Sequence, residues 1–169
     1  MTTFSASSED VEVVAAMLGR RPAGHFRVVC RRIAGSPVVI ENAPHLDDGT
    51  PMPTLYWLVD PALRESVSRI ESVGGVRRFE EEIDPDEIQE AHRVYEKRRA
   101  SLVTMPDAPQ PSGGVGGTRR GLKCLHAHLA AYLAGLDDPV GIAVAAEVDL
   151  GGVRRGTIGE PGVVGGSSP

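Results

Sequence analysis

The chain has 169 residues, 41% apolar and 24% charged, with a net charge of −5, enough sequence for one domain with a real core. The negative balance argues against a nucleic-acid partner, because the arginine pairs at 31–32, 77–78, 98–99, 119–120 and 154–155 are scattered rather than gathered. No apolar run approaches the about 20 residues of a membrane span, and the first residues lack the basic and apolar regions of a secretory signal. The expectation is therefore no membrane partner, a cytoplasmic setting, and two distant cysteines kept as free thiols.

In chain order, the first helix is expected over 8–19, with Ser7 or Ser8 as cap and Val11, Val14, Ala15 and Leu18 as its stripe. Two β-branched runs, 26–33 and 38–42, flank "AGSP" and predict a hairpin. Simple alternation puts Val28, Cys30 and Arg32 on one face of the first strand. The segment "PHLDDGTPMP" reads as a loop, with His45 a solvated histidine beside Asp47 and Asp48, and "TLYWLV" reads as a third strand.

Three Asp-Pro pairs then mark helix starts at 60–61, 84–85 and 138–139, since Asp accepts amide bonds at the cap and Pro fits the first turn. Leu63, Val67, Ile70 and Val73 form the buried stripe of the first of these helices. A long polar helix to about 103 carries Ile88, Ala91, Tyr95 and Leu102 on its apolar side. Glu80, Glu81 and Glu82 read as a solvated face. The Gly/Pro-rich stretch 105–118 is expected to be a mobile loop, and 151–169 a disordered tail behind a single domain over 1–150. The fold class is α+β: a small antiparallel sheet of about three strands, covered by four or five helices.

The chemistry-bearing segment is "GLKCLHAHLAAYLAG", residues 121–135. It places Cys124, His126 and His128 within five positions, beside a stripe of Leu122, Leu125, Leu129, Leu133 and Leu136. A helix continuous through the segment puts Cys124 and His128, four apart, on one edge of the stripe and His126 on the other. A helix that begins only at Leu125 leaves Cys124 at its mouth, where it can converge with His126. Thiolate and imidazole together suit zinc or ferrous iron. The competing readings are a packed cysteine beside half-buried histidines and a reactive thiol at a helix start. Cys30 is the obvious further ligand, and Asp60 is reachable but already explained as a cap. "GGVGG" at 113–117 lacks the Lys-Ser/Thr of a phosphate loop, and no GxSxG occurs.

The blocks "LGRRPAG", "GSPVVIENAPHLDDGTPMPTLYWLVDPAL", "VSRIESVGGVR" and "GLKCLHAHLAAYLAGLDDPVG" occur in an order and spacing that resemble the domain of unknown function 501 family, common in actinobacteria, over about 16–148. The resemblance implies a four-ligand pattern of Cys, Cys or His, Cys and His, split between the sheet and a late helix. This chain has Arg32 and Asp60 at the two sheet positions and retains Cys124-Leu125-His126 on the helix. Family genes often neighbour those of a septum-formation initiator and an exopolyphosphatase-type phosphatase.

The leading expectation is a small metal-binding protein, its structural or regulatory zinc or iron held by Cys30, Asp60, Cys124, His126 and His128. A degenerate, metal-free site is the counterpart. Two alternatives stand beside it: a metal- or cysteine-dependent hydrolase or transferase, and a protein-interaction module linked to cell division through the long polar helix.

Overall fold

The computed structural model describes residues 4–158. Within them, six α-helices surround a four-stranded antiparallel sheet: α1 (Ser8–Leu18), β1 (Phe26–Arg32), β2 (Pro37–Asn42), β3 (Tyr56–Leu58), α2 (Pro61–Ser72), α3 (Gly75–Glu82), α4 (Pro85–Ser101), α5 (Leu125–Ala134), α6 (Pro139–Ala145) and β4 (Val153–Arg154). The strand order is β3-β2-β1-β4. The α+β expectation holds, with one strand and one helix more than foreseen. The extra strand, β4, is two residues long and pairs with Arg31 and Arg32 of β1. It lies at the start of the stretch expected to be a loose tail; residues 159–169 of that stretch lie outside the described residues.

The two faces of the sheet carry separate apolar clusters. On one, Val14 of α1 packs with Phe26, Ile40 and Val59, flanked by Val28 and Trp57. On the other, Cys30, Val39 and Leu58 meet α2, α4, α5 and α6 in the main core. Val28 and Cys30 therefore sit in different clusters, against the simple alternation. The reason is a bulge: Val28 pairs with Ile40 and Cys30 with Val39, so Val29 is an extra residue that re-aims the strand.

Helix α1 is capped by Ser7, whose hydroxyl accepts from Asp10 N at 3.1 Å, and Asp10 fixes it to the sheet through a bidentate pair with Arg31, at 2.9 and 2.7 Å. All three Asp-Pro starts are helix starts, each with an aspartate cap. In α2 the stripe of Leu63 and Val67 is buried and Ile70 is partly so, but Val73 is 84% exposed. The helix ends at Ser72, so Val73 lies past the last turn that faces the core. In α4, Ile88, Ala91, Tyr95 and Leu102 are buried as expected, and so are His92 and Arg99.

Arg99 and the histidines hold the 105–118 stretch in place. Arg99 donates to Pro53 O at 2.8 Å and to Gly113 O at 2.7 Å. His92 Nδ1 accepts from Val115 N at 3.0 Å. His45 is buried rather than solvated, with Nε2 at 2.9 Å from Pro109 O. These bonds satisfy carbonyls and amides that a segment without regular structure leaves open.

Asp60 joins two jobs. Its Oδ1 accepts from Leu63 N at 3.0 Å, capping α2, while Arg32 grips both carboxylate oxygens, at 2.7 and 3.0 Å. Burial acts to raise the Asp60 pKa, but the Arg32 pairing and the amide bond outweigh it, and the group ends below its ordinary value. A depressed carboxylate contributes stability that is present above the unfolded-state pKa and lost as pH falls through the folded one. Asp60→Ala should therefore cost about 2–4 kcal/mol in urea melts near neutral pH, removing a cap and stranding a guanidinium. The cost should shrink as pH falls below the ordinary value of about 4 toward the depressed folded-state pKa, beneath which the wild-type carboxylate is itself protonated. An equal loss at pH 7 and at the acid end would show that the charge is not what stabilises.

Candidate metal centre

The site forms where the C-terminal end of α2 meets the start of α5. Helix α5 begins at Leu125, so Cys124 occupies the N-cap position, with extended backbone (φ −143°, ψ 113°) and no capping bond from its side chain. Of the two geometries expected for the segment, this is the one in which Cys124 sits at the helix mouth. The open amides are served from other helices: Glu71 of α2 accepts from Leu125 N through Oε1 at 2.8 Å. Glu80 of α3, exposed as expected, also accepts from Leu122 N at 2.9 Å. Two carboxylates thus bracket the Cys124 backbone, where the N-terminal end of a helix favours negative charge.

Glu71 Oε1 also lies 3.2 Å from His126 Nδ1. The opposite ring nitrogen, Nε2, is 3.1 Å from Arg64 O and 3.2 Å from Ser68 Oγ. A carbonyl only accepts, so Nε2 carries the proton. In the neutral ring Nδ1 is then a lone pair facing a carboxylate. A cation between them, a proton or a metal ion, relieves that opposition. The His126 pKa is raised to about 8, first by the neighbouring Cys124 side chain, with burial opposing and the Glu71 charge assisting.

Glu71, Cys124 and His126 each offer one ligand atom, all within 4.8 Å of one another, the one such group of three among the described residues. All three are half-buried. A tetrahedral ion with bonds of 2.0–2.3 Å separates its ligand atoms by roughly 3.3–3.8 Å, so small side-chain rotations close the set. Glu71 was not singled out in the sequence. Its signal there is an acid in the last turn of α2, where the helix's own dipole disfavours it.

The other residues expected in the site have partners of their own. Cys30 is buried and donates to Arg154 O at 3.0 Å, and burial pushes its thiol up to about 11. Asp60 is held by Arg32 and the start of α2. His128 is fully buried, its Nδ1 2.7 Å from Asp138 Oδ2, and Asp138 in turn caps α6 through Gly141 N. His128 lies on the side of α5 toward α4, where its ring is 5.8 Å from that of His92. The structure therefore joins Cys124 and His126 to each other and to Glu71, and leaves Cys30, Asp60 and His128 in separate contacts.

A groove of about 750 Å³ opens beside the cluster, with Cys124 and His126 among its lining residues. Its walls come from β3, α2, α5 and the end of α1, including Leu18, Trp57, Pro61 and Ala127. The volume is in the range of small-molecule sites.

Residues 28–146 match the family described as a protein of unknown function, DUF501, and the chain belongs to that family. The matched span contains Glu71, Cys124 and His126. No curated protein and no solved structure matches the chain.

In metal-free protein, an NMR titration of the His126 ring should give a midpoint near 8. Glu71→Gln should lower it toward the ordinary value of about 6.5. Because the folded-state value is raised, the His126 contribution to stability is complete below about pH 6.5 and disappears as pH rises through 8. A midpoint at or below the ordinary value would contradict this arrangement.

Proposed function

We propose that this member of the DUF501 family is a metal-binding protein whose ion is held by Glu71, Cys124 and His126, with a fourth coordination position open to the groove. The observation that carries the reading is the convergence of the three ligand atoms within 4.8 Å, together with the orientation of His126. Its Nε2 is committed to Arg64 O, which frees Nδ1 as a ligand. Metal-bound histidines characteristically donate their other ring N–H to a carbonyl or carboxylate in this way. Cys30, Asp60 and His128 lie outside the proposed coordination sphere.

One thiolate, one imidazole and one carboxylate suit zinc, with ferrous iron as the other candidate. Three protein ligands and an open position are the pattern of a catalytic rather than a structural zinc. The fold does not depend on the ion. Leu125, Leu129 and Leu133 are each at most 1% exposed, and burying three leucines contributes about 1.5–3 kcal/mol apiece. That packing outweighs any single ligand in placing α5.

A second reading, a cysteine nucleophile, is favoured by the half-buried Cys124 on the groove wall with a His126 ring nitrogen within 4.8 Å of its sulfur. The two separate in one experiment. Elemental analysis and cobalt substitution of the purified protein should show about one ion per chain and thiolate-to-cobalt charge-transfer absorption. Cys124→Ser should abolish that absorption and weaken zinc on the order of a hundredfold, with little change in melting temperature. Metal-free protein that binds neither ion, but whose Cys124 alkylates much faster than a free thiol, would replace the metal reading with the nucleophile.

A further inference from the structure

The groove beside the cluster is cationic on a chain whose net charge is −5. Two of its lining residues, Arg20 and Arg64, have no carboxylate partner among the described residues. The Arg20 guanidinium lies over the Trp57 ring, 5.4 Å from its centroid. The Arg64 guanidinium donates to Met17 O, at 3.0 Å, from a single Nη, its one hydrogen bond among the described residues. Most other arginines of the helices and sheet are committed to Asp or Glu, including Arg27, Arg31, Arg32, Arg69, Arg78 and Arg98. The one carboxylate in the groove lining, Glu65, is paired with Arg69.

Unpaired guanidiniums with spare N–H donors are built to receive a carboxylate or phosphate. The same groove also has an apolar lining: Trp57 from the sheet, Leu18 from α1 and Pro61 from α2. We propose that the groove binds a small organic anion, its acidic group on Arg20 and Arg64 and its apolar body against Trp57, Leu18 and Pro61. The far end of that ligand meets Cys124 and His126. The inference rests on the metal reading for what the far end meets, and on the groove alone for the acid.

Trp57 is the single tryptophan of the chain, so its fluorescence reports occupancy directly. Metal-free and zinc-loaded full-length protein would be titrated with phenylacetate, phenyl phosphate and the neutral phenylacetamide, with calorimetry alongside. Both acids, or one of them, should saturate the Trp57 signal and bind at least about tenfold tighter than the amide. The tighter acid names the headgroup. The double variant R20Q/R64Q should lose that preference while keeping its melting temperature. Arg20→Gln alone, at an exposed position, should lose part of it and serves if the double variant is unstable.

Equal binding of acid and amide, unchanged affinity in the variants, or no saturable response to either acid would overturn the proposal. Acid binding by protein that takes up no zinc would support the groove and defeat the metal reading. Zinc uptake without acid binding would do the reverse.

Discussion

The start of α5 has no capping side chain of its own, and Glu71 reaches across from α2 to supply the acceptor. That single constraint organises the site. A cysteine at the N-cap leaves amides open at the positive end of a helix. Once the Glu71 carboxylate is drawn to Leu125 N, it is also beside His126 Nδ1. The capping contact and the candidate coordination sphere therefore share a carboxylate. A proton on His126 balances the same carboxylate.

Buried charge elsewhere is handled in the same way, by giving each carboxylate several partners. Glu41, 1% exposed, accepts from Tyr56 Oη at 2.9 Å, Arg27 Nε at 2.8 Å and Arg98 at 3.2 Å. Asp60 serves Arg32 and the start of α2, and Asp138 serves His128 and the start of α6. A buried carboxylate with one partner costs more than it contributes, whereas one with two or three is held at little net penalty. These three acids are satisfied by several partners each, while the two contacts of Glu71 both fall on Oε1.

The Arg32–Asp60 pair bears on how the site is built. The resemblance placed both residues at positions where relatives carry metal-binding side chains. Here they bind each other across 28 positions of sequence, at 2.7 and 3.0 Å. An ion pair joins β1 to α2 without any metal. The thiol and imidazole at the α5 mouth are then left to a different carboxylate, Glu71 in the last turn of α2.

Much of the architecture was legible in the order of residues, for local reasons. The Asp-Pro pairs predict three helix starts because cap and first-turn chemistry act within four residues. The β-branched runs predict the hairpin, and the leucine spacing predicts the buried face of α5. The segment 121–135 also identified Cys124 and His126, along with the condition for their convergence, a helix that begins at Leu125. Tertiary structure decided the rest. The bulge at Val29 moved Cys30 into the main core, where its thiol donates to Arg154 O. The packing of α5 turned His128 toward Asp138. Glu71, 53 positions before Cys124, became its neighbour only because α2 and α5 pack end to start. Contacts of that length depend on how whole helices are seated by their apolar faces, and no local pattern of residues encodes them.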